Sequence, residues 1–172
     1  MILIALGTNM AGPWGTPRQT LVRAARELDK GGLRLRALSR LIETAPFGRP
    51  NQPNFVNAVA MIDTHLPPAA LLARLHAIER AAGRRRAIKW GPRTLDLDLL
   101  DYHGLVRGWQ RSPAVTGGPI LPHPGIADRI FVLSPLAEIA PAWRHPQLHV
   151  TAAQLLRRIQ RRAGAGGEEL AP

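Results

Sequence analysis

Two carboxylates set two residues apart, Asp96 and Asp98, carry the clearest chemical signal in the chain. They stand in Thr94-Leu95-Asp96-Leu97-Asp98-Leu99-Leu100, where three leucines alternate with Thr94, Asp96 and Asp98. That period of two marks a half-buried strand, so both carboxylates share one face, with Cα atoms about 6.5–7 Å apart. Asp is depleted in strands and like charges side by side repel, which makes the pair costly unless something positive accompanies it. From the alternation alone, a solvent-facing edge with arbitrary polar residues would read the same way. The residues just upstream favour chemistry. Gly83-Arg84-Arg85-Arg86-Ala87-Ile88-Lys89-Trp90-Gly91-Pro92-Arg93 brings five cationic side chains to the start of the acidic strand. Carboxylates that hold hard cations, beside arginines that fork onto phosphate oxygens, are what a nucleotide phosphate chain with Mg²⁺ requires.

The rest of the chain bounds that reading. At 172 residues and 45% hydrophobic, it is long enough for one globular unit with a real core. Residues 1–163 are expected to form a single domain and residues 164–172 a disordered tail. There is no cysteine, hence no disulfide framework, thiolate nucleophile or zinc-thiolate site. The first residues lack the basic and apolar regions of a secretion signal, and no apolar run approaches 18 residues. A cytoplasmic location without a membrane partner is therefore expected; a monomer is expected too, although the sequence carries no signal for the oligomeric state. A net charge of +11 and a pI near 11.7 point to anionic partners, either small polyphosphates or nucleic acid. Part of that excess, Arg157, Arg158, Arg161 and Arg162, lies near the C-terminus, where solvation is the default explanation.

The elements that must position the carboxylates can be read in order. Residues 1–6 are an apolar strand closed by the turn Gly7-Thr8-Asn9. Thr16-Pro17-Arg18-Gln19 has the form of a capping box with proline at the first helical position, and Leu21, Val22, Ala25 and Leu28 continue at helical spacing as far as Gly31-Gly32. A second strand runs from Leu33 to about Thr44, and residues 45–53, with three prolines, form a loop. Residues 55–64 form a strand whose Val56, Ala58, Ala60 and Ile62 face the core. Phe55 and Asn57 then point the other way, where they either stack on and hydrogen-bond a planar heterocycle or sit at an ordinary exposed edge. Pro67-Pro68 open a helix with the stripe Leu71, Leu72, Leu75, Ile78 and Ala82, ending at Gly83. His76 and Glu79 lie one turn apart beside it, as a surface pair or as ligand contacts. Residues 103–120 are irregular, an insertion or a lid. The apolar stretch 135–141 packs on the core, and Thr151 caps a last helix carrying Leu155, Leu156 and Ile159.

The order strand, helix, strand, strand, helix, strand predicts an α+β ferredoxin-like (βαββαβ) antiparallel sheet with helices on one face and a C-terminal extension. The opposite face is expected to stay open and to carry Asp96, Asp98, Phe55 and Asn57. No Gly-x4-Gly-Lys-Ser/Thr string is present, which disfavours a P-loop kinase. The same topology and basic charge also suit an RNA-binding RRM-like module. That class needs alternating outward aromatics, whereas Phe55 is the one strand aromatic facing outward here, and two acids on the face would repel a phosphate backbone.

A set of motifs resembles one family. Gly7-Thr8-Asn9, Glu43-Thr44, Gln52-Pro53-Asn54-Phe55-Val56-Asn57-Ala58, Ile78-Glu79, the string from Trp90 to Asp98, Pro122-His123-Pro124, Arg129, Phe131 and Pro135-Leu136-Ala137-Glu138-Ile139-Ala140-Pro141 together resemble hydroxymethyl-dihydropterin pyrophosphokinase of folate synthesis. The resemblance spans residues 1–146. It implies transfer of pyrophosphate from ATP to the hydroxymethyl group of a reduced pterin, with release of AMP. It also implies that Asp96 and Asp98 hold two Mg²⁺ ions and that Phe55 and Phe131 sandwich the pterin. Thr44, Phe47 and Asn57 would bind the pterin edge, while Trp90 lies near both ligands. His76, Glu79, Arg84, Arg86, Trp90, Arg93, His123 and Arg129 would line the ATP side, with Arg84 and Arg93 joining the two aspartates in catalysis. Thr8 replaces an expected serine and Ile42 an expected tyrosine, neither of them at the proposed chemistry. Residues 107–119 are longer than a compact member needs, and an inactive relative would share these motifs.

Overall fold

The computed structural model describes residues 1–46, 52–84, 93–108 and 118–165. Its centre is β1 (Ile2–Thr8), paired antiparallel on one side with β4 (Phe55–Thr64) and on the other with β5 (Asp96–Tyr102). Strand β2 (Leu33–Leu38) and the short β3 (Ile42–Thr44) both pair with β4, giving the order β2-β4-β1-β5 with β3 continuing the β2 edge. Helix α1 (Pro17–Glu27) links β1 to β2, and α2 (Pro68–Ala81) links β4 to β5. Each crossover leaves room for one strand between its ends, which is the split βαβ arrangement the element order implies. Two further helices, α3 (Ile130–Ile139) and α4 (Ala152–Ala165), follow β5. Among the described residues no helix is long and apolar enough to cross a membrane.

Local chemistry explains the helices. Thr16 caps α1 by accepting from the Gln19 backbone N–H, and the Gln19 side chain accepts from the Thr16 backbone N–H at 2.9 Å. The same reciprocal cap, Thr151 with Gln154, opens α4. Helix α1 stops at Glu27, short of the Gly31-Gly32 pair: Leu28 N–H makes an i→i−4 bond to the Ala24 carbonyl, and the next N–H, of Asp29, turns instead to the Arg26 carbonyl three residues back. Strand β1 goes further than its apolar run: Gly7 and Thr8 both pair with β4 and Gly7 also with β5, so sheet hydrogen bonding extends it through residues that look like a turn.

The two faces of the sheet are both used. Ile2, Ile4 and Leu6 point towards α1 and α2 and join Leu21, Leu28, Leu71, Leu75, Ile62 and Leu97 in one buried cluster. Leu3, Val59 and Leu100 point the other way, into a second cluster with Val132, Leu133 and Leu136 of α3 and Leu155 of α4. The expectation of an open second face is corrected here: α3 and α4 cover much of it. A shift of register between Leu3 and Ile4 lets β5 accommodate one extra residue, so that Leu99 enters the first cluster and Leu100 the second. Asp101 follows Leu100 onto the covered side and is buried there, accepting from Trp143 Nε1 at 3.1 Å. The open part of the face is the end nearest Gly7, Asn57 and Asp96.

The single strand that the sequence predicts over residues 33–44 is two in the structure, β2 and β3. They are separated at Ser39, Arg40 and Leu41, three residues set against Ala58 and Val59 of β4. Residues 103–120 close at their base, with Arg107 and Leu121 exchanging backbone hydrogen bonds at 2.7 and 2.8 Å; residues 109–117 and 166–172, including most of the expected tail, lie outside the described residues.

The second cluster should contribute to stability as a core does. Leu136 is fully buried, so Leu136→Ala is expected to cost about 2–5 kcal/mol in urea unfolding. Ile130, at the exposed start of the same helix, should cost within about 0.5 kcal/mol when replaced by Ala.

Candidate active site

The site is assembled at the end of the sheet that α3 leaves uncovered. Gly7 pairs with Asn57 on one side and Asp96 on the other, and Ala5 pairs with Val59 and Asp98. A row of small residues therefore runs between β4 and β5, and it floors a cavity. The walls are Thr44, Ala45, Phe55 and Asn57 from the β3–β4 side, Arg93 just before β5, Asp96 and Asp98 on it, and Arg129, Phe131 and Val132 from the start of α3. Asn57 is buried and donates from Nδ2 to Thr44 Oγ1 at 2.8 Å, leaving its carbonyl oxygen beside Gly7.

The two aspartates meet different company. Asp96 is flanked by two guanidinium groups: Arg84 Nη1 lies 2.5 Å from Oδ1, and Arg93 Nη1 contacts Oδ2. Arg84 also contacts Glu79, which stands on α2 and accepts from the Leu97 backbone N–H at 2.7 Å. Glu79 is buried, and burial pushes its carboxyl up to about 7 despite the lowering effects of the Leu97 N–H and Arg84. Asp98 has looser partners, Arg129 Nη1 at 3.7 Å and His123 Nε2 at 3.9 Å. Burial, and then the charge of Asp96, raise the Asp98 carboxyl above its ordinary value. The site thus neutralises Asp96 fully and Asp98 incompletely.

His123 is held for this role by its other ring nitrogen. Nδ1 accepts from the Gly125 backbone N–H at 3.0 Å, which places the proton of the neutral ring on Nε2, facing Asp98. Burial lowers the His123 pKa, outweighing the pull of Asp98 in the opposite direction. On the far side of Arg84, a second depression is lined by His76, Glu79, Arg80 and Arg84.

The structure therefore brings together Thr44, Phe55, Asn57, Phe131, Arg93, Asp96, Asp98 and Arg129 around one cavity, with His123 beside Asp98. It groups His76, Glu79 and Arg84 next door. Phe47, Arg86 and Trp90 lie outside the described residues. Among the described residues no three or more of His, Asp and Glu converge as a metal-binding group. Magnesium does not require one, because it is commonly held by one or two carboxylates plus water and substrate phosphate.

A profile of the 7,8-dihydro-6-hydroxymethylpterin-pyrophosphokinase (HPPK) family matches residues 3–141. The chain is 40% identical over 146 residues to a 2-amino-4-hydroxy-6-hydroxymethyldihydropteridine pyrophosphokinase of Pseudomonas aeruginosa, covering 84% of this chain and 83% of that protein. The chain belongs to the HPPK family. It is also 38% identical over 138 residues to the Bacillus subtilis protein of the same name, with 79% and 75% coverage. A crystal structure of a Plasmodium falciparum HPPK-DHPS triple mutant superposes with a TM-score of 0.72 over 94% of this chain and 43% of that one. At 14% identity, that likeness shows a shared HPPK-type fold.

Three residues shape this cavity in ways the sequence alone does not assign: Asn9, Gly7 and Ala5. Asn9, 2% exposed, is a post between two segments that border the cavity. Its Oδ1 accepts from Arg93 N at 2.9 Å, its backbone N–H donates to Arg93 O at 3.1 Å, and its Nδ2 donates to Pro53 O at 3.2 Å. Gly7 and Ala5 contribute by what they leave empty, Gly7 having no side chain and Ala5 only a methyl group. Neither role has a local signature; what the sequence does show is a glycine and an asparagine, residue types that usually mark turns.

Gly7→Ala should test the floor. The added Cβ would lie 3.1 Å from Asn57 Oδ1, so it should weaken occupancy of this cavity while sparing ligands of the neighbouring depression; titration calorimetry distinguishes the two. Glu79 gives a pH test. Its folded carboxyl keeps its proton to about pH 7, whereas the unfolded one releases it near 4.5, so its contribution to stability is present below 4.5 and is lost as pH rises through 7. Glu79→Gln stays neutral throughout. Urea unfolding at a series of pH values should show the variant gaining on the parent between pH 4.5 and 7, by on the order of 3 kcal/mol at most.

Proposed function

We propose that this chain transfers the pyrophosphoryl group of ATP to the hydroxymethyl group of 6-hydroxymethyl-7,8-dihydropterin, with AMP as the second product. The reading takes residues 1–163 as one catalytic unit. The observation that carries it is the juxtaposition of an aromatic- and amide-lined cavity with two carboxylates and three arginines at its mouth.

A pterin is planar, apolar on its faces and polar on its edges. Phe55 and Phe131 supply apolar walls, and Asn57, fixed by Thr44, offers an amide to the edge, while the Gly7 floor admits a flat ring. Such a pose would direct the hydroxymethyl group towards Asp96 and Asp98. The triphosphate would come from the side of Arg84, His76 and His123.

The bond that forms joins the hydroxymethyl oxygen to the β-phosphorus of ATP. The bond that breaks joins that phosphorus to the oxygen bridging to the α-phosphate, which leaves with AMP; the hydroxyl proton is released. This class of reaction needs in-line positioning and charge neutralisation more than covalent help from the protein. Arg84 and Arg93, which rest on Asp96, would transfer their donors to phosphate oxygens as negative charge moves towards AMP. Arg129 and the Nε2–H of His123 face the same region from the α3 side.

The residues fit Mg²⁺. Two carboxylates share a face, and the Asp98 carboxyl, raised first by burial and then by the charge of Asp96, has only loose partners in Arg129 and His123, which leaves it open to a cation. Asp96 and Asp98 would hold the metal, which would supply Lewis-acid stabilisation of the transferring group.

Incubation with ATP, Mg²⁺ and the reduced hydroxymethylpterin should yield AMP one-for-one with pyrophosphorylated pterin. ADP as the main nucleotide product, or AMP formation independent of pterin, would reject the assignment. Asp98→Asn should lower turnover by orders of magnitude without loss of folding, read by kinetics together with circular dichroism. Arg84→Ala or Arg93→Ala should reduce kcat by roughly 10²–10³ with a smaller change in the KM for ATP.

A further inference from the structure

The cavity wall that carries Thr44 depends on an irregularity in the sheet. Leu38 pairs with Ala60 and Ile42 with Asn57, so Ser39, Arg40 and Leu41 oppose only Ala58 and Val59. One surplus residue is a bulge, and its effect is to reverse which side chains of β3 face which way. With it, Thr44 pairs with Phe55 and reaches Asn57, while Glu43 is exposed. Without it, the parity of β3 would change and Glu43 would take the inward direction.

The backbone groups displaced by the bulge are satisfied by side chains. The Ser39 hydroxyl accepts from Val59 N at 3.0 Å and donates to Arg40 O at 3.0 Å, filling the gap in the ladder. Arg40 N donates to Glu138 Oε1 at 3.0 Å, across 98 residues of sequence, and Arg40 Nε donates to the other oxygen at 3.3 Å. Glu138 lies near the C-terminal end of α3, the helix whose first turn carries Phe131. One carboxylate therefore ties the bulge to the helix forming the opposite wall of the cavity. The Arg40 side chain is 86% exposed, so the ion pair itself contributes little; the bond to the backbone N–H is the specific one. In keeping with this, the Glu138 carboxyl is held below its usual range chiefly by the Arg40 N–H.

We propose that Glu138 is a positioning residue for the pterin cavity: by capping the backbone N–H of Arg40 it holds the β2–β3 bulge in register, keeps Thr44 turned to Asn57 and fixes that wall relative to Phe131. Glu138 touches no reacting atom. The proposal rests on the pyrophosphokinase reading for its kinetic consequence, but its structural half can be measured without turnover.

The experiment compares Glu138→Ala, Glu138→Gln and Arg40→Ala with the parent chain. Steady-state kinetics give KM for ATP and for the reduced hydroxymethylpterin, and NMR gives amide exchange at Arg40 and the Thr44–Asn57 contact. For Glu138→Ala, KM for the pterin should rise roughly tenfold, the value of one lost hydrogen bond to a charged acceptor, with KM for ATP within about twofold. Exchange at Arg40 should accelerate and the Thr44–Asn57 contact should weaken. Glu138→Gln, whose amide oxygen still accepts, should restore both, and Arg40→Ala, which keeps the N–H, should resemble the parent. An unchanged pterin KM, an equal rise for both substrates, or the same loss in Arg40→Ala would overturn the proposal. If Glu138→Ala does not fold, the Gln and Arg40 variants decide it: a pterin-specific loss in either one overturns it. If the parent forms no AMP, the functional reading fails, while an intact Thr44–Asn57 contact in Glu138→Ala would separately sink the positioning role.

Discussion

Two carboxylates two residues apart on a half-buried strand repel each other, and the surroundings of β5 answer that repulsion. Asp96 and Asp98 share a face because the strand period leaves them no alternative, and Leu97 between them is committed to the core. The compensating groups come from outside the strand: the cations Arg84 just past α2, Arg93 at the entrance to β5 and Arg129 at the cap of α3, and the neutral His123, whose Nε2–H faces Asp98. Four separate places in the chain thus converge on two carboxylates. Because Asp96 holds two guanidinium groups closely and Asp98 meets Arg129 only at 3.7 Å, the pair is electrostatically unequal, and both members line the cavity.

The second face of the sheet is divided between two environments that ordinarily exclude one another. At one end Leu3, Val59 and Leu100 are sealed beneath α3 and α4; at the other, Gly7, Asn57 and Asp96 border a polar cavity. The division falls within single strands. On β1 it lies between Leu3 and Gly7, on β4 between Val59 and Asn57, and on β5 between Leu100 and Asp96. Helix α3 makes the boundary, since Leu133 and Leu136 anchor it in the apolar half while Phe131 and the preceding Arg129 project into the polar half. A well-packed support of this kind fixes the geometry of site residues better than a loop could.

How much of this was legible in the sequence follows from the range of the interactions involved. Helices α1 and α2 and strand β4 announce themselves through a capping box, a proline pair and a run of alternating residues, all local signals. The acidic pair and its arginines are equally local in character, and the family motifs carried the remaining cavity residues. Helix α3 left no such trace: it spans ten residues, has Arg129 without a side-chain cap bond at its start, and contains Pro135, whose missing N–H ordinarily argues against a helix interior. Its placement over the sheet was invisible for a different reason, since an apolar stripe says that a face is buried without saying against what. The bulge at residues 39–41 and the post at Asn9 were hidden because their partners lie 98 and 84 residues away. A contact of that range is a property of the register, which periodicity does not encode.

The pairing of Arg107 with Leu121 has a consequence for how this chain can vary. Two backbone hydrogen bonds close the base of residues 108–120, so the sheet beyond Tyr102 and the turn that delivers His123 are joined before the intervening chain is traversed. The entropy of closing such a segment grows only with the logarithm of its length, about 0.6 kcal/mol for each doubling. Length can therefore be gained or lost between the two clasping residues at little thermodynamic cost, with the spacing of Asp98 and His123 preserved. That makes the interval a natural place for relatives to differ in size and for a foreign peptide to be spliced in, at a point where the fold has already been tied off.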